Sequence, residues 1–287
     1  MKKKLAFVLG GGGSHGALQA GALRALTEAG FRPDLVAGTS IGAANGAFLA
    51  AQGYSSEGCD RLIQIWETMV DRDLLPTDLW RQTMRAFFRR SKGSIQEQIR
   101  EFAITNGMTP NLRFKDLQGV RLFTVATDLN AGRPVIFGLD LEEKVLEGVL
   151  ASMTLPPWML PFRQNGRTLM DGWVVSNLPI EVALQQGATS IIALDLIDHK
   201  WPSKNWPGPY PGFGDFLIKL DKTIENRETE LELKLAQAKG VPVKTIKLSA
   251  EEAIPLWDFR HASQLIQRGY ETAREMIDCW RLEERPR

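Results

Sequence analysis

Cysteine is almost absent: Cys59 and Cys279 are the only two in 287 residues. That supports neither a disulfide framework nor a thiolate metal cluster. Histidine is nearly as scarce, with three, so a histidine-based mechanism has little to draw on. No charge surplus exists either, because 35 Lys and Arg oppose 34 Asp and Glu for a net +1. Nothing global pulls the chain toward nucleic acid or an anionic membrane. Long apolar runs are missing as well. Lys2-Lys3-Lys4 followed by Leu5-Ala6-Phe7-Val8-Leu9 begins like a secretory signal, but the run breaks at four glycines, and no other stretch reaches transmembrane length. A soluble, cytoplasmic protein is expected. No linker, internal repeat or low-complexity tract divides the sequence, which reads as one domain over residues 1–287 with a sizeable core.

What the chain does have is glycine at telling places. Ser40 lies at the centre of Gly38-Thr39-Ser40-Ile41-Gly42, and upstream runs Gly10-Gly11-Gly12-Gly13-Ser14-His15-Gly16. A Gly-x-Ser-x-Gly turn forces a sharp strand-to-helix reversal that lifts the serine hydroxyl clear of the backbone, and side chains at the flanking glycines would clash. Leu35-Val36-Ala37 reads as the strand before it, and the small-residue stretch from Gly42 to Ala50 as the helix after it. Acyl transfer also needs donors aimed at a developing oxyanion, and a glycine run opening a helix supplies backbone N–H groups. Gly11, Gly12 and Gly13 are the candidates for that role. Short matches of either kind also arise by chance, so the context carries the argument.

The glycine run has a competing reading. Gly11, Gly13 and Gly16 satisfy Gly-x-Gly-x-x-Gly between a strand at residues 4–9 and a helix through Leu18, Ala22, Leu23 and Leu26, which is the dinucleotide fingerprint. That fingerprint wants an acidic residue at the carboxyl end of the second strand, whereas Asp34 precedes its strand and Ser40 follows it. A phosphate-binding P-loop is excluded, since Ala17 and Leu18 follow Gly16 where Lys and Ser or Thr are required.

These motifs, together with Asp171-Gly172 and its surroundings, resemble the patatin-like phospholipases, bacterial lipid acyl hydrolases related to plant patatin and to the catalytic domain of neuropathy target esterase. That family joins a Gly-Gly-Gly-x-Arg/Lys-Gly loop, a Gly-x-Ser-x-Gly elbow and a later Asp-Gly-Gly or Asp-Gly-Ala. The connecting text is similar too: Ala126-Thr127-Asp128-Leu129-Asn130-Ala131-Gly132, Ala151-Ser152-Met153-Thr154-Leu155-Pro156-Pro157, and Met170-Asp171-Gly172-Trp173-Val174-Val175-Ser176-Asn177-Leu178-Pro179. Two positions depart from the pattern. His15 stands where the family has Arg or Lys, yet a histidine still donates a hydrogen bond to hold the loop. Trp173 replaces a small residue and adds bulk beside the second motif.

The resemblance implies a three-layer α/β/α fold around a mostly parallel sheet. It also implies a Ser40–Asp171 dyad with donors at Gly11, Gly12 and Gly13, supported by His15, Gly16, Gly38, Gly42 and Gly172. No metal or organic cofactor is implied, and the substrate would be an acyl lipid met in transient contact with a membrane surface. Taken alone, Asp171-Gly172 is equally a common hairpin turn. The order Ser, Asp, His also stays open, with Asp171 or Asp195 in the middle and His199 or His261 as the base. An esterase or acyltransferase acting on small non-lipid acyl esters is the alternative enzyme, and a dinucleotide-binding protein the alternative outside enzymes.

Elsewhere, strand-like runs at residues 121–127, 134–137, 168–170, 190–195 and 243–248 alternate with helical stretches, as expected of a layered sheet. Residues 78–92 predict a basic amphipathic helix, either packed on the sheet or interfacial. Residues 201–213 read as an aromatic, proline-rich loop, expected either to contact lipid or to pack over the sheet edge or between subunits. A charged helix through Leu220, Ile224, Leu231 and Leu235 and a last helix from about Asp258 read as scaffold.

Overall fold

The computed structural model describes residues 3–69, 95–117, 119–155, 159–197, 213–252, 254–256 and 258–283, and within these not the side chains of residues 213–218 and 221. The expected helix at 78–92 and the loop at 201–212 lie outside the described residues, as does His199.

Among the described residues eight strands build one sheet: β1 (Leu5–Leu9), β2 (Leu35–Thr39), β3 (Arg121–Asp128), β4 (Arg133–Phe137), β5 (Phe162–Gln164), β6 (Arg167–Asp171), β7 (Ser190–Leu196) and β8 (Val243–Leu248). Their order is β5-β6-β3-β2-β1-β7-β8, with β4 also on β3. β1, β2, β3, β7 and β8 run parallel, whereas β4 and β6 oppose β3 and β5 opposes β6. The strand positions expected from sequence therefore hold to within a residue or two. The exception is β5, a short edge strand.

Side-chain alternation along the strands makes two cores. Phe7 and Leu9 of β1, Val36 of β2, Leu122 of β3 and Ile192 and Leu194 of β7 face one cluster, while Ala6, Val8, Leu35, Ala37, Phe123, Val125 and Ala193 face the other. The first is covered by α1 (Gly16–Glu28), α2 (Ile41–Gln52), α3 (Ser56–Thr68), α5 (Val145–Ser152) and α8 (Ala262–Glu283), with the partly buried Ile99 and Phe102 of α4 (Ile95–Thr105) packed against it. α6 (Ile180–Gln185) and α7 (Phe213–Ala238) cover the second. Apolar side chains such as Phe7, Leu9, Leu18 and Phe123 are almost wholly buried, each contributing roughly 1.5–3 kcal/mol. The result is a three-layer α/β/α arrangement.

One detail of register positions the site. Thr124 and Val125 of β3 pair with Gly38 and Thr39 of β2 on one side and with Phe137 and Ile136 of β4 on the other. The next residue, Ala126, pairs with Val135 of β4 and with Asp171 of β6. β2 and β6 thus share one edge of β3, the second starting where the first stops and running the opposite way. Their carboxyl ends meet, bringing residue 171 against residue 40. Asp171 is accordingly a strand end followed by a 3-10 turn at Gly172–Val174, and Asp171-Gly172 is not a hairpin turn.

Candidate active site

Ser40 stands between β2 and α2 with φ 54° and ψ −123°, a backbone conformation that L side chains rarely adopt and that costs on the order of 1–3 kcal/mol. Local bonds offset this. The Ser40 N–H donates to Ser152 Oγ at 2.9 Å, the Ser152 hydroxyl donates to the Val125 carbonyl at 2.6 Å, and the Ser40 carbonyl accepts the Ala44 N–H at 3.2 Å, opening α2. The elbow is possible only with glycine beside it, because a Cβ on Gly42 would lie 2.2 Å from the Leu9 carbonyl oxygen. Additions at Gly38 and Gly172 would likewise meet Gly42 O at 2.6 Å and Val125 O at 2.3 Å, and at Gly16 Ile41 Cγ1 at 2.4 Å.

The Ser40 hydroxyl donates to Asp171 Oδ2 at 2.6 Å. Asp171 is fully buried, its Oδ1 accepts the Trp173 N–H at 3.0 Å, and its main chain is tied by Thr127 Oγ1 to Asp171 O at 2.7 Å and by Asp171 N–H to Thr154 O at 2.8 Å. Burial dominates its titration and pushes the carboxyl from 3.8 up to about 7, while the bonds from Ser40, Trp173 and Gly172 pull the other way. A carboxylate poised there is a far better base near neutrality than an ordinary one. Trp173 leaves its indole N–H buried and without a partner among the described residues.

The glycine loop differs from expectation at one position. Gly11 N–H is already used, donating to both Asn177 O at 3.2 Å and Asn177 Oδ1 at 3.1 Å, so Gly11 is not available as an oxyanion donor. Its role is spatial: a Cβ there would meet Asn177 Oδ1 at 2.5 Å and Ser40 Cβ at 3.1 Å. Among the described residues the Gly12 and Gly13 amides find no acceptor. Gly13 has φ +54°, and a Cβ on it would come within 2.2 Å of Leu256 O. The loop is held from the far side by three consecutive carbonyls: Ile254 O faces His15 Nε2 at 3.0 Å, Pro255 O accepts the Ser14 hydroxyl at 3.0 Å, and Leu256 O accepts the Ser14 N–H at 2.6 Å. His15 therefore ties the glycine loop to Ile254.

Several residues that bear on the site were not singled out by motif. Thr39 Oγ1 donates to Ser176 O at 2.7 Å, tying the elbow to the segment after Asp171. α7 also reaches this segment, which corrects its reading as mere scaffold. Glu232 accepts from the Ser176 hydroxyl and the Glu181 N–H, and Glu225 Oε1 accepts from Asn177 Nδ2 at 2.6 Å, while the Glu228 Oε2 between them along the helix is buried without a partner among the described residues. Burial pushes both Glu228 and Glu232 up to about 7. The only sequence signal for this is the i, i+3, i+7 spacing of carboxylates along one face of a helix.

Among the described residues the competing arrangements do not assemble. Asp34 caps β1 by accepting the Leu5 N–H at 2.8 Å, at the opposite end of the sheet from the glycine loop, so the ribose-binding acid of a dinucleotide site is missing. His261 lies 3.7 Å from Asp258 at the start of α8, and Asp195 neighbours Glu225 on α7. No histidine contacts Asp171 among the described residues.

The match to known proteins agrees with the fold. A family model described as patatin-like phospholipase matches residues 7–184. Patatin-like phospholipase domain-containing protein 7 of Mus musculus is 34% identical over 198 residues, covering 67% of this chain and 13% of that protein. Lysophospholipase nte1 of Aspergillus terreus is 26% identical over 308 residues, covering 96% of this chain and 18% of that protein. The chain thus spans less than a fifth of the length of these relatives. Among solved structures, VipD from Legionella pneumophila has a TM-score of 0.50 at 14% identity, covering 97% of this chain and 67% of that one. Human GIVD cytosolic phospholipase A2, in complex with methyl gamma-linolenyl fluorophosphonate, has a TM-score of 0.50 at 10% identity, covering 96% and 58%. Those two likenesses show the fold, and the family match with the sequence relatives settles membership: the chain belongs to the patatin-like phospholipases, a family of lipid acyl hydrolases.

Proposed function

We propose that the chain hydrolyses carboxylic esters of phospholipids or lysophospholipids through Ser40 and Asp171. The observation that carries this reading is the 2.6 Å bond from the Ser40 hydroxyl to the buried Asp171 carboxylate. Asp171 takes the hydroxyl proton as Ser40 Oγ attacks the ester carbonyl carbon. The carbonyl oxygen becomes an oxyanion, for which the Gly12 and Gly13 amides and the N-terminus of α2 are the donors at hand. Collapse expels the alcohol, which leaves with the proton from Asp171, and an acyl group remains on Ser40. Water then attacks, Asp171 removes its proton, and the second tetrahedral species releases the fatty acid while Ser40 Oγ recovers the proton.

The substrate class rests on family membership and on the lysophospholipase and phospholipase names of the relatives. No helix of the described residues is long and apolar enough to cross a membrane, so we infer that lipid is met in transient contact at a membrane surface. The test is a panel of p-nitrophenyl esters, lysophospholipids and diacyl phospholipids, run beside fluorophosphonate labelling. Wild type should turn over the lipids and label once. Ser40→Ala should keep its fold, fail to label, and lose turnover by several powers of ten. Labelling retained at another serine would overturn the assignment, and preference for short soluble esters would move the substrate away from lipid.

A further inference from the structure

Resting on that reading, we infer that Asn177 is a positioning residue: its side-chain amide, oriented by Glu225 of α7, holds the glycine loop at the angle from which Gly12 and Gly13 meet the oxyanion. Both ends of the Asn177 side-chain amide are committed. Nδ2 donates to Glu225 Oε1 at 2.6 Å, and O and Oδ1 together accept the single Gly11 N–H at 3.2 and 3.1 Å. An asparagine amide presents oxygen on one side and NH2 on the other. A carboxylate accepts and does not donate, so Glu225 forces the NH2 toward itself and the oxygen toward Gly11. Glu225 is itself paired with Lys222.

Fixing the Gly11 N–H fixes the peptide plane between Gly10 and Gly11, and the chain then passes directly into Gly12 and Gly13. Gly11 is sandwiched: a Cβ there would collide with Asn177 Oδ1 on one side and approach Ser40 Cβ on the other. The neighbouring Ser176 carbonyl holds Thr39 of the elbow. One dipeptide, a few residues beyond Asp171, therefore ties together the base segment, the nucleophile turn and the oxyanion loop. Glycine is the residue type least able to hold a conformation by itself, so this loop needs such an outside constraint.

The test uses the full chain, with two readouts. One is kcat and KM on a soluble ester and a lysophospholipid, and the other is deuterium exchange of the peptide spanning Gly10 to Gly13. Asn177→Ala leaves only main-chain acceptors and should lower kcat on the order of 10–100-fold with KM little changed. That is less than the ~10²–10³-fold from deleting an oxyanion donor outright. Exchange should rise in the glycine loop and nowhere else. Asn177→Asp places a carboxylate against Glu225 and should be equally damaging. Glu225→Gln alone should be nearly silent, because its carbonyl oxygen still accepts from Asn177. In the pair Asn177→Asp with Glu225→Gln, donor and acceptor exchange places, and most of the lost kcat should return. Unchanged loop exchange in Asn177→Ala, exchange rising throughout the protein, or no recovery in the pair would each overturn the inference. If wild type hydrolyses no ester while the exchange pattern appears as expected, the hydrolase reading fails and the hold on the loop stands.

Discussion

Asp171 is the residue at which burial matters most. Its folded value near 7 lies well above the ordinary 3.8, so between roughly pH 4 and 7 the native state binds this proton more tightly than the unfolded chain does. Its contribution to stability is therefore complete below about pH 4 and is lost as pH rises through 7. Two outcomes follow, with opposite signs. In a pH–rate profile, kcat/KM should climb with unit slope through about pH 7 and level off above it, since only the unprotonated carboxylate accepts the Ser40 proton. Asp171→Asn should abolish turnover, yet in urea unfolding at pH 8 it should be more stable than wild type by an amount on the order of a few kcal/mol, the gap closing below pH 4. A profile flat from pH 5 to 9 would remove Asp171 from the proton-transfer role. At this scale the sequence was informative where a residue type is forced. At Gly13, Gly16, Gly38 and Gly42 an added Cβ would collide with neighbouring atoms, so these positions leave no substitute for glycine. Gly11 was misread as a donor because its acceptor lies 166 positions away, and no local pattern announces such a partner.

The strands were legible because hydrophobic alternation marks them, and the elements the motif argument passed over are informative in turn. β5 was passed over since Phe162-Arg163-Gln164 is short and polar at the sheet edge, although Asn165-Gly166, with φ 50° and 76°, is a strong hairpin signal. α7 was read as scaffold because charged residues on a helix usually face water. Two of its carboxylates, Glu225 and Glu232, instead receive donors of the segment from Ser176 to Glu181. Glu232 alone accepts the Ser176 hydroxyl and the Glu181 amide at the start of α6. Glu232→Ala should leave those buried donors unmet and lower stability by about 2–4 kcal/mol, read as a fall in the midpoint of chemical unfolding. A change below half a kcal/mol would mean that water replaces the carboxylate at no cost.

At the scale of the whole molecule, the sheet rather than any loop brings the two proposed catalytic groups together. Their meeting depends on β2 and β6 sharing one edge of β3, with Ala126 pairing Asp171 in the register step after Val125 pairs Thr39. Fluorophosphonate labelling of Ser40 across a urea series should therefore fall together with the circular-dichroism signal of the sheet. Labelling lost well before the sheet unfolds would show that β6 detaches independently.

The same register has a consequence for the chain while it is being made. Ser40 and its proposed base Asp171 are 131 positions apart, so the elbow leaves the ribosome long before β6 exists. Until that late strand docks, the serine lacks the Asp171 acceptor and the glycine loop has no Asn177 to lean on. On the proposed reading, a chain assembled in this order is inert while nascent and becomes able to attack acyl esters only when the sheet closes.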